Sequence, residues 1–498
     1  MPIDLAALTP LANHRPWPRY EVDAAQWNAI GASLGKGEAD LLGLWAEPDV
    51  VHLAFRPPAT VPAIASLAVR DGAFPSVGKH HSPAIRLERT IADLYGHAVI
   101  GAPDTRAWLD HGAWGIRAPL GAREAAALRD PTDYEFQPVR GEGLHQIPVG
   151  PVHAGIIEPG HFRFTANGEI VARLEERLGY VHKGIDGLLI NSDAERAARI
   201  VARTSGDSTV ALSFAFALAF ESARDIVVPL RAQVIRGAMA ELERIANHFG
   251  DFGAVCNDAS FSLMHAHCGI LREEILRAAA ATFGHRLMMD CVMPGGASDA
   301  NPRGLDRIEA LVADIGHRFP ALIEIYEATA SLQDRTVGTG ILKSELAKSF
   351  AAGGYVGRAS GRNFDARRDL AYAPYDELAF EVPIREAGDV DARVWIRIRE
   401  IEQSLSLIRQ IIEKLPSGPA RLDLVPGAGE GMALAEGFRG DVLAWVRLNA
   451  DGTVARCHLR DPSWFQWPLL EAVIEGNIVA DFPLCNKSFN CSYSGHDL

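Results

Sequence analysis

The sequence predicts an α+β fold in two parts, a small α+β domain over residues 1–140 and a large, mainly helical domain over residues 141–498 that carries β-hairpin elements. Three observations predict it. Short apolar runs punctuated by Pro and Gly fill the first 135 residues, long stretches with helical periodicity follow, and a polar, Pro- and Gly-containing segment at 129–143 separates the two. At 498 residues the chain is long enough for several domains and a large core.

In the first part, the runs 50–55 (VVHLAF) and 64–69 (IASLAV) read as strands, and 85–95 reads as a helix. After the linker, residues 149–164 read as a hairpin region with Pro151, Gly155 and Pro159-Gly160 at its turns. Between 229 and 249 the apolar residues Leu230, Val234, Ala238, Leu242, Ile245 and Phe249 recur at steps of four and three, which is one face of a helix. Further helices are expected over 261–283, 306–332 and 392–415, the second of these kinked or split at Pro320. Packing among these helices supplies most of the stability, since isolated helices are marginal in water. Residues 442–448 alternate as a strand, and Gly427 to Gly431 read as a loop that lacks the lysine and helix context of a phosphate-binding motif.

The net charge of −14, with no run of basic residues, argues against nucleic-acid binding and against a polybasic membrane anchor. The most apolar stretch, 210–220, falls short of the ~20 residues needed to span a bilayer. The first 20 residues lack a basic flank followed by an apolar core, so the expected location is the cytoplasm. The six cysteines show no Cys-x-x-Cys spacing, which points away from a thiolate-held cluster and towards reduced, buried packing residues. His265 and His267 would face nearly opposite sides of a helix, so they do not form a metal pair.

Two segments carry the strongest functional signal. Arg203-Thr204-Ser205-Gly206-Asp207-Ser208 and Asp461-Pro462-Ser463-Trp464-Phe465-Gln466 resemble the paired cysteine motifs of nickel-iron hydrogenase large subunits, with Ser205, Ser208, Ser463 and Gln466 at the four cysteine positions. The resemblance is collinear along most of the chain. It includes His153 and His161 in the hairpin region, the segment His182-Lys183-Gly184-Ile185-Asp186, the helix through Glu243-Arg244-Ile245-Ala246-Asn247-His248, and the run from Gly357 through Asp365. Phe74-Pro75-Ser76-Val77 and the stretch from Glu88 through Gly96 resemble the 30 kDa-type subunit of respiratory complex I. The chain is thus identified as similar to group 4 hydrogenase large subunits of the formate-hydrogenlyase type and to fused 30 kDa–49 kDa complex I subunits, in a branch without the nickel-iron cysteines, as in energy-converting hydrogenase-related complexes.

That resemblance implies a subunit of a membrane-associated oxidoreductase, passing electrons towards a quinone or similar acceptor without a nickel-iron centre. It implies an iron-sulfur small subunit as partner, with the cluster held by that partner, membrane antiporter-like subunits as further partners, and attachment to the inner face of the cell membrane. Nickel and low-spin iron are held by soft thiolates, and three hydroxyls and an amide do not replace them, so no metal is expected in this chain. Asp186 matches a proton-relaying glutamate, and Arg439 matches a basic residue near the hydrogenase metal that could stabilise a reduced acceptor; its plain alternative is an ion pair with Glu436 or Asp441. His153 or His161, with Asp258 as carboxylate partner, are the candidates for a quinone pocket, although the family's quinone-contacting tyrosine falls at Gly206. The competing reading is a non-catalytic scaffold or conformational coupling subunit. A polar pocket joining Asp186, Arg439 and a histidine would favour electron transfer; a space filled by Phe438, Trp464 and Phe465 would favour the scaffold. A third reading, an active hydrogenase, requires bound nickel.

Overall fold

The apolar runs of the first part pair into a five-stranded sheet in a computed structural model, which describes residues 8–121, 130, 134–153, 155 and 157–498. The sheet runs in the order Thr9–Pro10, Arg19–Val22, Ala63–Ala68, Val50–Arg56, Asp40–Ala46. The helices Ala24–Gly35 and Ile85–Tyr95 accompany it. The first begins with Asp23 and Gln26 bonding reciprocally to each other's backbone N–H, which satisfies two otherwise orphaned donors. Positions 129 and 131–133 of the expected linker, and residues 1–7, lie outside the described residues.

The hairpin region extends to three antiparallel strands, Leu144–Val149, His161–Asn167 and Ile170–Arg177. Long helices follow at Leu230–Asp258, Ser262–Phe283, Pro302–Ala328 and Val390–Glu413. The central helix is two turns longer than its apolar stripe indicated. Pro320 neither splits nor ends its helix. It sits on the exposed face, where water can satisfy the Gly316 carbonyl it leaves without a donor, and the break comes instead at Thr329 before a short helix, Ala330–Thr336.

The expected loop at Gly427 to Gly431 is also corrected: from Gly429 it is already strand. Strands Gly429–Gly437, Gly440–Leu448 and Val454–Arg460 form an antiparallel sheet packed on the helix Thr209–Arg224. A Cβ at Gly431 would lie 2.3 Å from the Ala219 carbonyl oxygen, so strand and helix approach closer than any side chain allows. The short strand His14–Arg15 adds in parallel to this sheet, tying the first part of the chain to the second.

One apolar cluster crosses the expected boundary near 140. It joins Trp27, Leu53 and Trp108 to Phe162, Leu174, Trp467 and Phe489. Arg86 pairs with Glu176 at 3.2 Å and with Glu471 at 2.8 Å across the same junction.

Candidate functional site

Arg439 and Phe438 form the two-residue tip of the hairpin Gly429–Gly437/Gly440–Leu448, with Gly437 opposite Gly440. Hairpin tips ordinarily lie in solvent. This one is buried, Phe438 to 1% and Arg439 to 3% exposure. Two features hold it there. Arg244 donates to the carbonyls of Glu436 and Gly437, both at 2.8 Å. Gly354, at φ +58°, passes so close that a Cβ there would stand 2.1 Å from the Arg439 carbonyl oxygen.

The Arg439 guanidinium reaches the residues that the resemblance to hydrogenase motifs sets at the cysteine positions. It donates to Asp207 Oδ2 at 2.5 Å, to Ser208 Oγ at 2.9 Å and to the Asn490 carbonyl at 2.5 Å. Ser205 Oγ donates to Asp207 Oδ1 at 2.7 Å and lies 3.1 Å from Ser492 Oγ. Ser463 Oγ accepts the Ser492 N–H at 2.8 Å, and Gln466 Nε2 donates to the carbonyls of Arg439 at 2.8 Å and Gly353 at 3.2 Å. The four aligned positions therefore do converge, linked through Arg439, Asp207 and Ser492. They are buried, at 4%, 3%, 0% and 0% exposure for Ser205, Ser208, Ser463 and Gln466.

Donor chemistry at these four positions does not fit a nickel-iron centre. Three hydroxyls and one amide carry no thiolate, and a guanidinium, which has no lone pair to offer, stands bonded among them. Among the described residues no group of three or more His, Cys, Asp or Glu side chains is arranged to hold a metal ion. Burial raises Asp207, but the Arg439 charge and its hydrogen bonds outweigh this and bring the carboxyl down to about 2. Burial pushes Glu243 the other way, up to about 8, against the N–H bonds it accepts from Val210 and Ala211. Arg439 pairs with neither of its expected partners: Glu436 is held by Arg358 at 2.9 Å and Asp441 by Arg460 at 2.6 Å.

Behind the hairpin tip lies a buried ion-pair network that sequence reading did not assemble. Glu400 accepts from His248 at 2.7 Å and from Arg358 at 2.7 Å; Asp365 pairs with Arg367 at 2.7 Å; Glu241 takes Arg367, Arg244, Tyr375 and Ser404. The motif from Gly357 through Asp365 had signalled Arg358 and Asp365. Asp207 lay inside the serine motif without being singled out, and Ser492 and Glu400 gave no local signal, because their partners are distant in the chain.

Asp186 does not join Arg439. It lies 3.8 Å from His458 at a separate cavity of about 480 Å³, which Trp464 also lines. Its neighbour Lys183 does reach the serine motif, donating to the Thr204 carbonyl at 2.5 Å. His153 and His161 bond within their own hairpin region, to the carbonyls of Gly160 at 2.8 Å and Gly150 at 3.3 Å. Asp258 ends the central helix beside Lys487 and His265, and burial, the larger effect, raises its carboxyl. No hydrogen bond among the described residues brings either histidine to Asp258. Phe438, Trp464 and Phe465 are all buried to 3% exposure or less.

This arrangement can be set beside known proteins. Residues 260–425 match the family described as respiratory-chain NADH dehydrogenase, 49 kDa subunit. Formate hydrogenlyase subunit 5 of Escherichia coli K12 is 30% identical over 436 residues, 85% of this chain and 77% of that protein. The chain belongs to the hydrogenase large subunit and complex I 49 kDa subunit family. Other members of the family extend the match: the carbon monoxide-induced hydrogenase of Rhodospirillum rubrum is 30% identical over 97% of its length, and an NADH-quinone oxidoreductase subunit of Roseiflexus sp. RS-1 is 32% identical over 94% of its length. These two cover 70% and 68% of this chain. A chain from the structure of an archaeal membrane-bound sulfane sulfur reductase has the same fold, with a TM-score of 0.68 at 23% identity, covering 72% of this chain and 99% of its own.

Proposed function

We propose that the chain is a core subunit of a complex I-like or hydrogenase-related membrane oxidoreductase that works without a nickel-iron centre and couples its partner modules through the buried ion-pair network. The observation that carries this reading is the Arg439 guanidinium bonded among Asp207, Ser208 and Asn490, where the resemblance to hydrogenase motifs would put a metal. A charged network with both signs buried and interlocked responds as a unit when one member is displaced, which suits transmission of a conformational change better than ligation. Relatives named as hydrogenases and as NADH-quinone oxidoreductase subunits support the oxidoreductase assignment. No helix among the described residues is long and apolar enough to cross a membrane. In this reading the chain is a peripheral subunit on the cytoplasmic side, and its partners are an iron-sulfur small subunit and antiporter-like membrane subunits.

The decisive experiment is purification of the intact complex, elemental analysis, and electron-transfer and ion-transport assays of an Asp207→Asn variant. The reading predicts far less than one nickel per chain, and a variant that keeps electron transfer between the other redox centres while losing most of the coupled transport. Stoichiometric nickel, or transport unaffected by the substitution, would defeat it.

A second reading, electron delivery to a quinone held by this chain, is favoured by the near full-length match to a protein named for quinone reduction. It predicts that a quinone analogue protects His153 or His161 from chemical modification in the intact complex. Absence of protection at both histidines counts against it.

A further inference from the structure

A cavity of about 480 Å³ lies between the two parts of the chain, within the range of about 300–1,000 Å³ typical of small-ligand sites. Leu44 and Trp45 of the strand Asp40–Ala46, with Leu87, Ile91 and Leu94 of the helix Ile85–Tyr95, wall one side. Asp186, Ile190, Arg456 and His458 face them from the second part. The walls are mostly aliphatic and aromatic, and the polar side chains among them include Asp186, His458, Thr90, Tyr95, His182 and Arg456.

Three polar atoms there lack partners. Asp186 Oδ1, His458 Nε2 and Trp45 Nε1 are each buried without a hydrogen bond. The residues themselves are held: the His458 ring stacks on Trp45, centroids 5.0 Å apart and planes 11° off parallel, and His458 Nδ1 faces Asp186 Oδ2 at 3.8 Å. Buried polar atoms are normally satisfied, so an orphaned carboxylate oxygen and an orphaned indole N–H on residues that line one cavity call for a partner with both a donor and an acceptor. Water would meet the polar atoms but leave the aliphatic walls wet. A flat molecule with one polar edge meets both.

We propose that this cavity binds a small, planar, largely apolar molecule with a hydroxyl or amino group, seated with that group at Asp186, His458 and Trp45. The site is separate from the Arg439 cluster and draws its walls from both parts of the chain, so occupancy reinforces their junction.

The test uses the full-length chain with 2-naphthol and, as the control lacking the donor, naphthalene. Saturable quenching of tryptophan emission at one 2-naphthol per chain is expected, with a raised melting temperature and at least tenfold weaker binding of naphthalene. Thr90→Trp, which places an indole in the cavity from its helix wall, abolishes binding of both probes. Asp186→Ala brings 2-naphthol to the affinity of naphthalene and keeps the proposal testable should Thr90→Trp not fold. Absence of saturable binding, as a cavity holding only water would give, overturns the proposal, as do equal affinities for the two probes or wild-type binding by Asp186→Ala.

Discussion

Arg439 and Asp207 illustrate how much one ion pair can decide. The arginine side chain is 4% exposed and its partner 35%, so removing the guanidinium leaves a carboxylate half in the protein and a serine without its donor. Arg439→Met is expected to destabilise the chain by about 2 kcal/mol, below the scale of a pair buried on both sides because water reaches the Asp207 carboxylate. The double variant Arg439→Met, Asp207→Asn should lose at least about 1 kcal/mol less than the sum of the two single changes, as interacting sites do. Strict additivity in urea melts would show that the pair is not coupled. Asp207 and Glu243 also set opposite pH dependences. Asp207 is depressed to about 2, so its contribution is present above the unfolded carboxylate range near 4 and is lost as pH falls through about 2. Glu243 is raised to about 8, so its contribution is full below about 4 and is lost as pH rises through about 8. Glu243→Gln keeps an oxygen for the Val210 and Ala211 N–H groups and cannot ionise; its melting temperature relative to wild type should therefore rise between pH 6 and pH 9. A constant difference across that range would remove Glu243 as the titrating group.

Among the elements, the buried hairpin tip depends on glycine at 354. Gly354→Ala asks a side chain to adopt φ +58° and to occupy the place of the Arg439 carbonyl, so it should cost about 2 kcal/mol or more and shift the tip. Thermal melts of this variant alongside Gly338→Ala, also at positive φ but with open space around its Cβ, separate the clash from the backbone cost. Pro320→Ala restores an N–H for Gly316 within an unbroken helix and should stabilise by about 1 kcal/mol. The helices were readable because their apolar stripes repeat every three to four residues, as in Ile308, Leu311, Ile315 and Phe319, of which Leu311 is partly buried and the other three are buried to 2% or less. Helix ends were less readable. The central helix runs on past its stripe to Asp258, because neighbours on several sides bury it, as Phe252 and Val255 at 0% exposure show.

At the scale of the whole molecule, the shared apolar cluster and the Arg86 ion pairs with Glu176 and Glu471 make the two parts interdependent. Calorimetry of the full chain should show one cooperative transition, and two resolved transitions would mean that the parts unfold separately. The sequence by itself determined the α+β class, the long helices, the family and the absence of thiols at four aligned positions, since periodicity, residue identity and motif order are properties of the chain read in line. Only the tertiary structure decided what those positions became. Ser205 and Ser463 are 258 positions apart and meet through Ser492; Arg439 bypasses nearby Glu436 and Asp441 for Asp207; Asp186 leaves the cluster for His458. Buried charges must find partners wherever the fold brings them, and proximity in space does not follow proximity in sequence.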